Sequence, residues 1–196
     1  MSVGRGRGLL VGMRGWTLGL LLLLVACERS ESAEKKLQPP SAEKATSLAR
    51  AGSPAPDFEV TAHTGETVRL SELRGKNVVL YFYPKDDTPG CTIEAREIRD
   101  EWGAFQGKNT VVLGVSADDN DSHRRFAQKH NLPFYLLPDP DHTIARAYGV
   151  PVRLGVAKRV TFVIDAQGTI VRAFDDVNPN GHASEILKVL ASLESK

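Results

Sequence analysis

Downstream of Gly52, runs of hydrophobic positions alternate with amphipathic stretches. Asn77 to Tyr83 and Thr110 to Ser116 are continuous apolar runs rich in valine, which is typical of buried central strands. Shorter runs on either side of a glycine-containing turn predict two hairpins: Phe58 to Ala62 with Thr67 to Leu70, and Arg159 to Asp165 with Thr169 to Phe174. The stretch Leu132 to Leu137 fits either an inserted strand or a loop.

Helical spacing fills the segments between these strands. One apolar face recurs at intervals of four, three, four and three residues: Cys91, Ala95, Ile98, Trp102 and Phe105. Further helices are expected over Asn120 to His130, Thr143 to Tyr148 and His182 to Leu193. This order predicts an α/β domain with a mixed central sheet flanked by helices.

The N-terminal segment has a different pattern. Basic residues precede an apolar run from about Trp16 to Ala26, which is too short to span a bilayer but typical of the apolar part of a signal peptide. The run ends in Leu24-Val25-Ala26-Cys27, which resembles the bacterial lipobox, where the cysteine receives a diacylglyceryl group before cleavage. We expect residues 1–26 to be a lipoprotein signal peptide and Cys27 to be lipidated. An ordinary secretory signal, with Cys27 incidental, remains the alternative.

The rest of the chain divides into a tether and a domain. Residues 27–50 are polar, charged and free of aromatic residues, so they are expected to form a lipidated N-terminus and flexible tether. Residues 51–196 have the size of a single domain with its own core. The predicted location is therefore exported and membrane-anchored, facing the periplasm or another extracytoplasmic space.

Composition excludes several classes of partner. Without Arg5, Arg7 and Arg14 the chain has 22 basic and 24 acidic residues and no basic stripe, so no nucleic acid is expected. The five histidines never stand at metal-ligand spacing with acidic neighbours, and no phosphate-binding glycine loop is present. We therefore expect neither a metal nor an organic cofactor.

Cysteine usage is informative because the chain has only Cys27 and Cys91. If Cys27 carries lipid, Cys91 is the sole free thiol, which excludes an internal disulfide, a cysteine-based zinc site and a Cys-x-x-Cys centre. Thr88 is a suitable N-cap and Pro89 a suitable first helical residue, which makes Cys91 the third residue of its helix. Free backbone N–H groups there favour a negatively charged sulfur. The competing interpretation is a small core residue on the apolar face of the helix.

Pro84, Thr88 and Cys91 together resemble the active-site motif of the peroxiredoxin family, in which a proline, three residues, a threonine and two residues precede the reactive cysteine. The run Thr-Pro-Gly-Cys-Thr is most similar to the bacterioferritin-comigratory or PrxQ subfamily. The resemblance implies a thioredoxin-like fold and a thiol peroxidase. Such an enzyme reduces hydrogen peroxide and organic hydroperoxides through a sulfenic acid on Cys91.

The resemblance also assigns candidate roles around Cys91. Peroxide cleavage needs a thiolate and donors that stabilise the departing oxygen. Thr88 offers a hydroxyl, and by resemblance Arg159 supplies the permanent cation, although an arginine at a strand start is ordinarily solvated. Glu94 is a candidate for orienting that arginine, or equally a surface carboxylate near a helix start. Pro84 is expected to shield the site.

One position departs from the subfamily. Many relatives carry a second cysteine five residues after the first, where this chain has Arg96. We therefore expect a one-cysteine cycle whose reductant is external: a small thiol, a thioredoxin- or glutaredoxin-like protein outside the cytoplasm, or transiently the Cys91 of another copy. The expected assembly is a monomer or weak dimer.

Two other function classes compete with the peroxidase. One is a thioredoxin-like thiol–disulfide exchange protein, although the chain lacks its two-cysteine motif and has Val160, not proline, before Thr161. The other is a non-catalytic, redox-sensing lipoprotein.

Overall fold

The computed structural model describes residues 47–194, so Cys27 and the predicted signal peptide lie outside the described residues. The described strands are β1 (Glu59–Thr61), β2 (Thr67–Arg69), β3 (Asn77–Phe82), β4 (Thr110–Ser116), β5 (Tyr135–Pro138), β6 (Val152–Arg153), β7 (Val156–Ala157), β8 (Val160–Ile164) and β9 (Ile170–Phe174). The described helices are α1 (Pro89–Asp100), α2 (Trp102–Gly107), α3 (Asn120–His130), α4 (Thr143–Ala147) and α5 (His182–Leu193), with a 3-10 turn at Leu70–Leu73.

Five strands form the central sheet in the order β5-β4-β3-β8-β9. The pairs β3–β4 and β4–β5 are parallel, whereas β3–β8 and β8–β9 are antiparallel. The mixed sheet predicted from the order of elements is therefore confirmed. Because β3 is buried from Val78 onwards and β8 is buried along its whole length, both faces of the sheet must be covered.

Two apolar clusters cover the two faces of the sheet. One packs the β1–β2 hairpin and α4 against residues such as Phe82 and Phe162. The other packs α1, α2, α3 and α5 against Val79, Tyr81 and Val163, and it contains Cys91. The helix that carries Cys91 therefore rests on the sheet face that is covered by α1, α2, α3 and α5.

Several predicted elements match the structure in full. The bounds of β4, α3 and α5 are as predicted, and both predicted hairpins form, as β1–β2 and β8–β9. The segment that fitted either a strand or a loop contributes the edge strand β5, parallel to β4. The β6–β7 hairpin was not predicted; its tip, Leu154-Gly155, has two positive φ angles, and the Leu154 side chain is fully exposed.

The prediction of one helix from Cys91 to Phe105 is wrong. The helix is interrupted at Glu101, whose φ of −94° and ψ of 13° end α1 and begin α2. The N–H of Glu101 bonds to the carbonyl of Glu97, and the carbonyl of Glu101 accepts from Phe105. An apolar stripe can continue across such a one-residue interruption, so spacing alone did not reveal it.

The domain's contacts begin upstream of residue 51. The Ala49 N–H donates to the Tyr148 carbonyl at 2.9 Å, and Leu48 packs against the core.

Among residues 47–194, no helix is both long and apolar enough to cross a bilayer.

Candidate active site

Cys91 lies where the chain turns from the end of β3 into α1. Thr88 has extended backbone angles and Pro89 begins the helix, so Cys91 is its third residue, as predicted. The Cys91 side chain packs in the apolar cluster beneath α1, and the residue is 2% exposed. Burial alone would suit a core cysteine, so the polar groups that reach the sulfur decide between the two interpretations.

Arg159 reaches the sulfur from its position just before β8, the strand next to β3. Its Nη2 donates to the Cys91 Sγ at 3.2 Å, although the two residues are 68 positions apart. The antiparallel pairing of β3 with β8 sets Phe82 opposite Val160, which brings the residue before β8 next to the end of β3. The structure therefore places a permanent cation on the sulfur, which an inert core cysteine would not require.

Glu94 holds the other side of the guanidinium. It lies one helical turn after Cys91, and its Oε2 accepts from Arg159 Nη1. Glu94 is fully buried, which contradicts the alternative of a surface carboxylate. Burial raises the pKa of Glu94 to about 7, and the charge of Arg159 partly offsets that shift. Its second oxygen, Oε1, has no hydrogen-bond partner within the described residues.

The charge on Arg159 is secure in this setting. Burial lowers the pKa of Arg159, but Glu94 and Cys91 outweigh that effect, and the pKa lies above its ordinary value. The guanidinium thus joins a carboxylate and a sulfur through two different nitrogens. Such a fork can fix its direction on Glu94 while presenting donors to a reacting group at Cys91.

Thr88 sits at the N-cap position without capping through its side chain. Its hydroxyl donates to the Lys85 carbonyl at 3.0 Å and makes no bond to a backbone N–H of the helix, so the expected capping bond is absent. The Thr88 hydroxyl therefore takes none of the N–H groups of the first turn of α1, although the Thr88 carbonyl accepts from the Thr92 N–H at 2.9 Å. Such groups are donors for a developing negative charge.

Pro84 and Arg159 share the wall of a half-open cavity of about 600 Å³. Its other lining residues are Pro151, Arg153, Val156, Ala157 and Lys158. The cavity thus combines apolar and basic side chains, and one of its lining residues is Arg159, whose guanidinium contacts Cys91. A small substrate can approach the site from this side.

Three further residues near the site are buried in the core: the pair Tyr81 and Tyr83, and His182. Tyr81 and Tyr83 stack with ring centroids 5.4 Å apart and, at 1% exposure each, do not line the cavity. His182, at the start of α5, is also buried, with Nε2 2.9 Å from the Thr161 hydroxyl and a pKa lowered by burial. Sequence reasoning missed the burial of His182, since a histidine at a helix start ordinarily faces solvent.

Metal-binding geometry is not found in the part of the chain that the structure describes, where no three His, Cys, Asp or Glu side chains converge suitably.

Residues 51–173 match the model of the AhpC/TSA family. The chain is 42% identical over 153 residues to Peroxiredoxin Bcp of Bacillus subtilis, covering 74% of this chain and 97% of that relative. It is 46% identical over 143 residues to a putative peroxiredoxin bcp of Coxiella burnetii, covering 69% of this chain and 95% of that relative.

Solved structures are similar over the same region. Peroxidoxin BcpB from Mycobacterium tuberculosis is 34% identical, with a TM-score of 0.69, covering 74% of this chain and 97% of that one. A cysteine-to-serine mutant of PrxQ from Xylella fastidiosa is 30% identical, with a TM-score of 0.71, covering 76% and 99%. The similarity spans nearly the whole of each compared protein.

Proposed function

The chain belongs to the AhpC/TSA family and is a peroxiredoxin of the Bcp/PrxQ type, and from that premise we propose that Cys91 reduces hydroperoxides in a one-cysteine cycle completed by an external thiol. Family membership makes the chain a thiol-dependent peroxidase with the thioredoxin-like fold that the sequence resemblance predicted. The contact of Arg159 with the Cys91 sulfur is the observation that carries the proposal.

In the first half of the cycle the Cys91 thiolate attacks one oxygen of the hydroperoxide. An S–O bond forms while the O–O bond breaks, and the electron pair of that bond leaves with the second oxygen, which takes a proton to become water or an alcohol. Negative charge thus moves from sulfur to oxygen. Arg159 and the N–H groups of the first turn of α1 are the donors placed to follow it.

Glu94 would act by holding the guanidinium in place. Because its Oε2 takes one nitrogen of Arg159, the other nitrogen remains directed at sulfur. Pro84 would shield the site by forming part of the cavity wall beside Arg159. Thr88 would contribute its hydroxyl oxygen next to the first turn of the helix.

The second half of the cycle needs a thiol from outside the chain. Cys91 is the one free cysteine of the described residues, and Arg96 is exposed at the position of a second cysteine in many relatives. The sulfenic acid would condense with an external thiol to give a mixed disulfide and water, and a second thiol would release the Cys91 thiol. We expect a small thiol or a thioredoxin- or glutaredoxin-like protein to serve, with the peroxidase working as a monomer or weak dimer.

We further propose that the enzyme is an exported lipoprotein anchored through Cys27. The support is the basic N-terminus, the short apolar run and the lipobox-like ending of the run. Intact mass and membrane fractionation test this directly. A protein that begins at Cys27, carries a diacylglyceryl group and pellets with membranes is expected, whereas a water-soluble product cut at another residue would contradict the anchor.

Peroxide turnover with a panel of reductants tests the catalytic proposal. Hydrogen peroxide and an organic hydroperoxide should both be consumed with dithiothreitol, a thioredoxin or a glutaredoxin system as donor. Cys91→Ser should abolish consumption in every case, because no other residue replaces the nucleophile. The one-cysteine cycle would be wrong if oxidised Cys91 formed a disulfide within the same chain.

A further inference from the structure

A second buried carboxylate lies upstream of Cys91, in the loop between β3 and α1. Asp86 Oδ1 accepts a hydrogen bond from the Tyr83 hydroxyl at 2.7 Å. Its Oδ2 lies 2.8 Å from the Ser122 hydroxyl and 2.9 Å from His123 Nδ1. These four side chains, which we call the Asp86 clamp, tie the loop to the end of β3 and to the first turns of α3.

The backbone of the same residue is held as well. The Asp86 N–H donates to Asp118 Oδ2 at 2.9 Å, and that carboxylate oxygen also accepts from the Ser116 hydroxyl at 2.8 Å. Residue 86 is thus bonded through its side chain to Tyr83, just after β3, and to α3, and through its backbone to the segment after β4. A loop that only connected two elements would not need so many bonds at one residue.

The Asp86 clamp is costly to build. His123 is fully buried, and its Nε2 has no hydrogen-bond partner among the described residues. Burying a polar nitrogen without a partner opposes folding. An apolar side chain at residue 123 would avoid that cost, so stability alone does not account for the histidine.

The chain between the clamp and the sulfur is short and stiff. Only four residues lie between Asp86 and Cys91. One of them is Pro89, and Pro84 stands two residues before Asp86; both proline rings fix φ. Asp87 has a φ of +56°, a left-handed conformation that non-glycine residues seldom adopt. A shift of Asp86 is therefore transmitted to the first turn of α1.

We propose that Asp86 is a positioning residue, which through the clamp holds the first turn of α1 so that the Cys91 sulfur stays on Arg159. This inference rests on the proposed function and deepens it. Cys91 is 2% exposed, and the cavity is lined by Arg159 and not by Cys91 itself. We therefore expect a small peroxide to reach the sulfur past Arg159, and a bulkier thiol to need movement of the first turn of α1. Loosening the clamp should therefore slow oxidation and leave reduction equal or faster.

Asp86→Asn, with Asp87→Asn as its matched control, tests the proposal in the full-length protein. Asp87 is the neighbouring carboxylate, exposed and bonded to Lys129 at 2.9 Å and His130 at 3.1 Å. Stopped-flow experiments measure Cys91 oxidation by hydrogen peroxide and, separately, reduction of the sulfenic acid by dithiothreitol. We expect Cys91 of D86N to be oxidised at least about tenfold more slowly than in wild type, while its sulfenic acid is reduced by dithiothreitol at the wild-type rate or faster. D87N should stay within about twofold of wild type in both steps.

Changes at His123 provide an independent test that leaves the loop sequence intact. His123→Asn keeps a donor near the position of Nδ1, whereas His123→Leu removes it. Oxidation should remain near the wild-type rate in H123N and fall in H123L as in D86N. Equal rates in the two variants would overturn the role of the hydrogen bond.

If the clamp had a purely structural role, D86N would have a lower melting temperature, and its oxidation and reduction steps would slow by the same factor. That outcome overturns the proposal. Hydrogen exchange over residues 84–92 of the reduced protein, without peroxide, separates this idea from the proposed function. Faster exchange in D86N than in D87N supports the clamp, whether or not Cys91 reacts with peroxide. An unreactive Cys91 in the wild-type protein would contradict the proposed function and leave the clamp standing. Equal exchange in the two variants rejects the clamp.

Discussion

Cys91 lies between two buried carboxylates that differ in their surroundings. Downstream, Glu94 binds Arg159, which contacts the sulfur, and one of its oxygens has no partner among the described residues. Upstream, both oxygens of Asp86 have partners, and among the described residues the hydrogen bond to the Cys91 sulfur comes from Arg159 and not from any of them. A buried carboxylate can thus orient a cation at the reacting sulfur or hold a loop in place, depending on which partners surround it.

The largest effect should come from removing the cation on the Glu94 side. Arg159→Met keeps much of the side-chain length but leaves no donor to sulfur or to the departing oxygen. We expect kcat/KM for hydrogen peroxide to fall by roughly 10² to 10³, the range for losing one charge-stabilising donor. Steady-state peroxide consumption measures it, with Arg153→Met in the same cavity wall as control. A loss as large in the control would mean that general cavity charge matters, not the contact with Cys91.

Glu94 should make folding stability depend on pH. Its pKa is raised to about 7 in the folded protein, so between about pH 4.5 and 7 the native state binds more protons than the unfolded state. The free energy of unfolding should therefore fall as pH rises through this window, by about 3 kcal/mol since each pKa unit is worth about 1.4 kcal/mol. Urea unfolding at pH 5 and pH 7.5 measures the fall.

Glu94→Gln and the exposed Glu101→Gln are the matched variants for that measurement. The first should flatten the dependence of unfolding free energy on pH, and the second should leave it as in wild type. If E94Q keeps the full slope, another group produces it and the comparison between the two carboxylates loses its electrostatic basis.

Thr88, which lies between the two carboxylates, should have the smallest effect. Thr88→Val keeps the shape and removes the hydroxyl that donates to the Lys85 carbonyl at 3.0 Å. Loss of one neutral hydrogen bond predicts a drop in peroxide kcat/KM of about three- to tenfold, equivalent to roughly 1 kcal/mol. Thr88→Ser should recover most of the rate; a serine variant as slow as the valine variant would indicate packing instead of the hydroxyl.

Local signals predicted much of the fold. The bounds of α3 could be predicted because Asp119 accepts from the Ser122 N–H at its start and Asn131 adopts the left-handed conformation at its end. Spacing could not show the interruption at Glu101, since the apolar stripe continues beyond it. The spacing of apolar residues also gave no sign of which strands pair. The pairing of β3 with β8 is what brings Arg159 to Cys91.

The site was predicted unevenly for a related reason. Cys91 and Thr88 follow from a local motif, and Arg159 came only from family resemblance. Asp86 was not predicted, because Lys85-Asp86-Asp87 reads as a solvent-exposed turn. Its burial depends on Ser122 and His123, 36 and 37 residues away, and only the packing of α3 against the loop brings them there.

The most direct test of the one-cysteine peroxidase is a single turnover of the reduced full-length protein. One equivalent of hydrogen peroxide is added in the presence of dimedone, and the labelled residue is located by peptide mass spectrometry, with Cys91→Ser as control. We predict dimedone on Cys91, none in the control, and full return of the thiol when dithiothreitol replaces dimedone. Peroxide consumption by C91S at the wild-type rate, or oxidation of wild type without label on Cys91, would contradict the account.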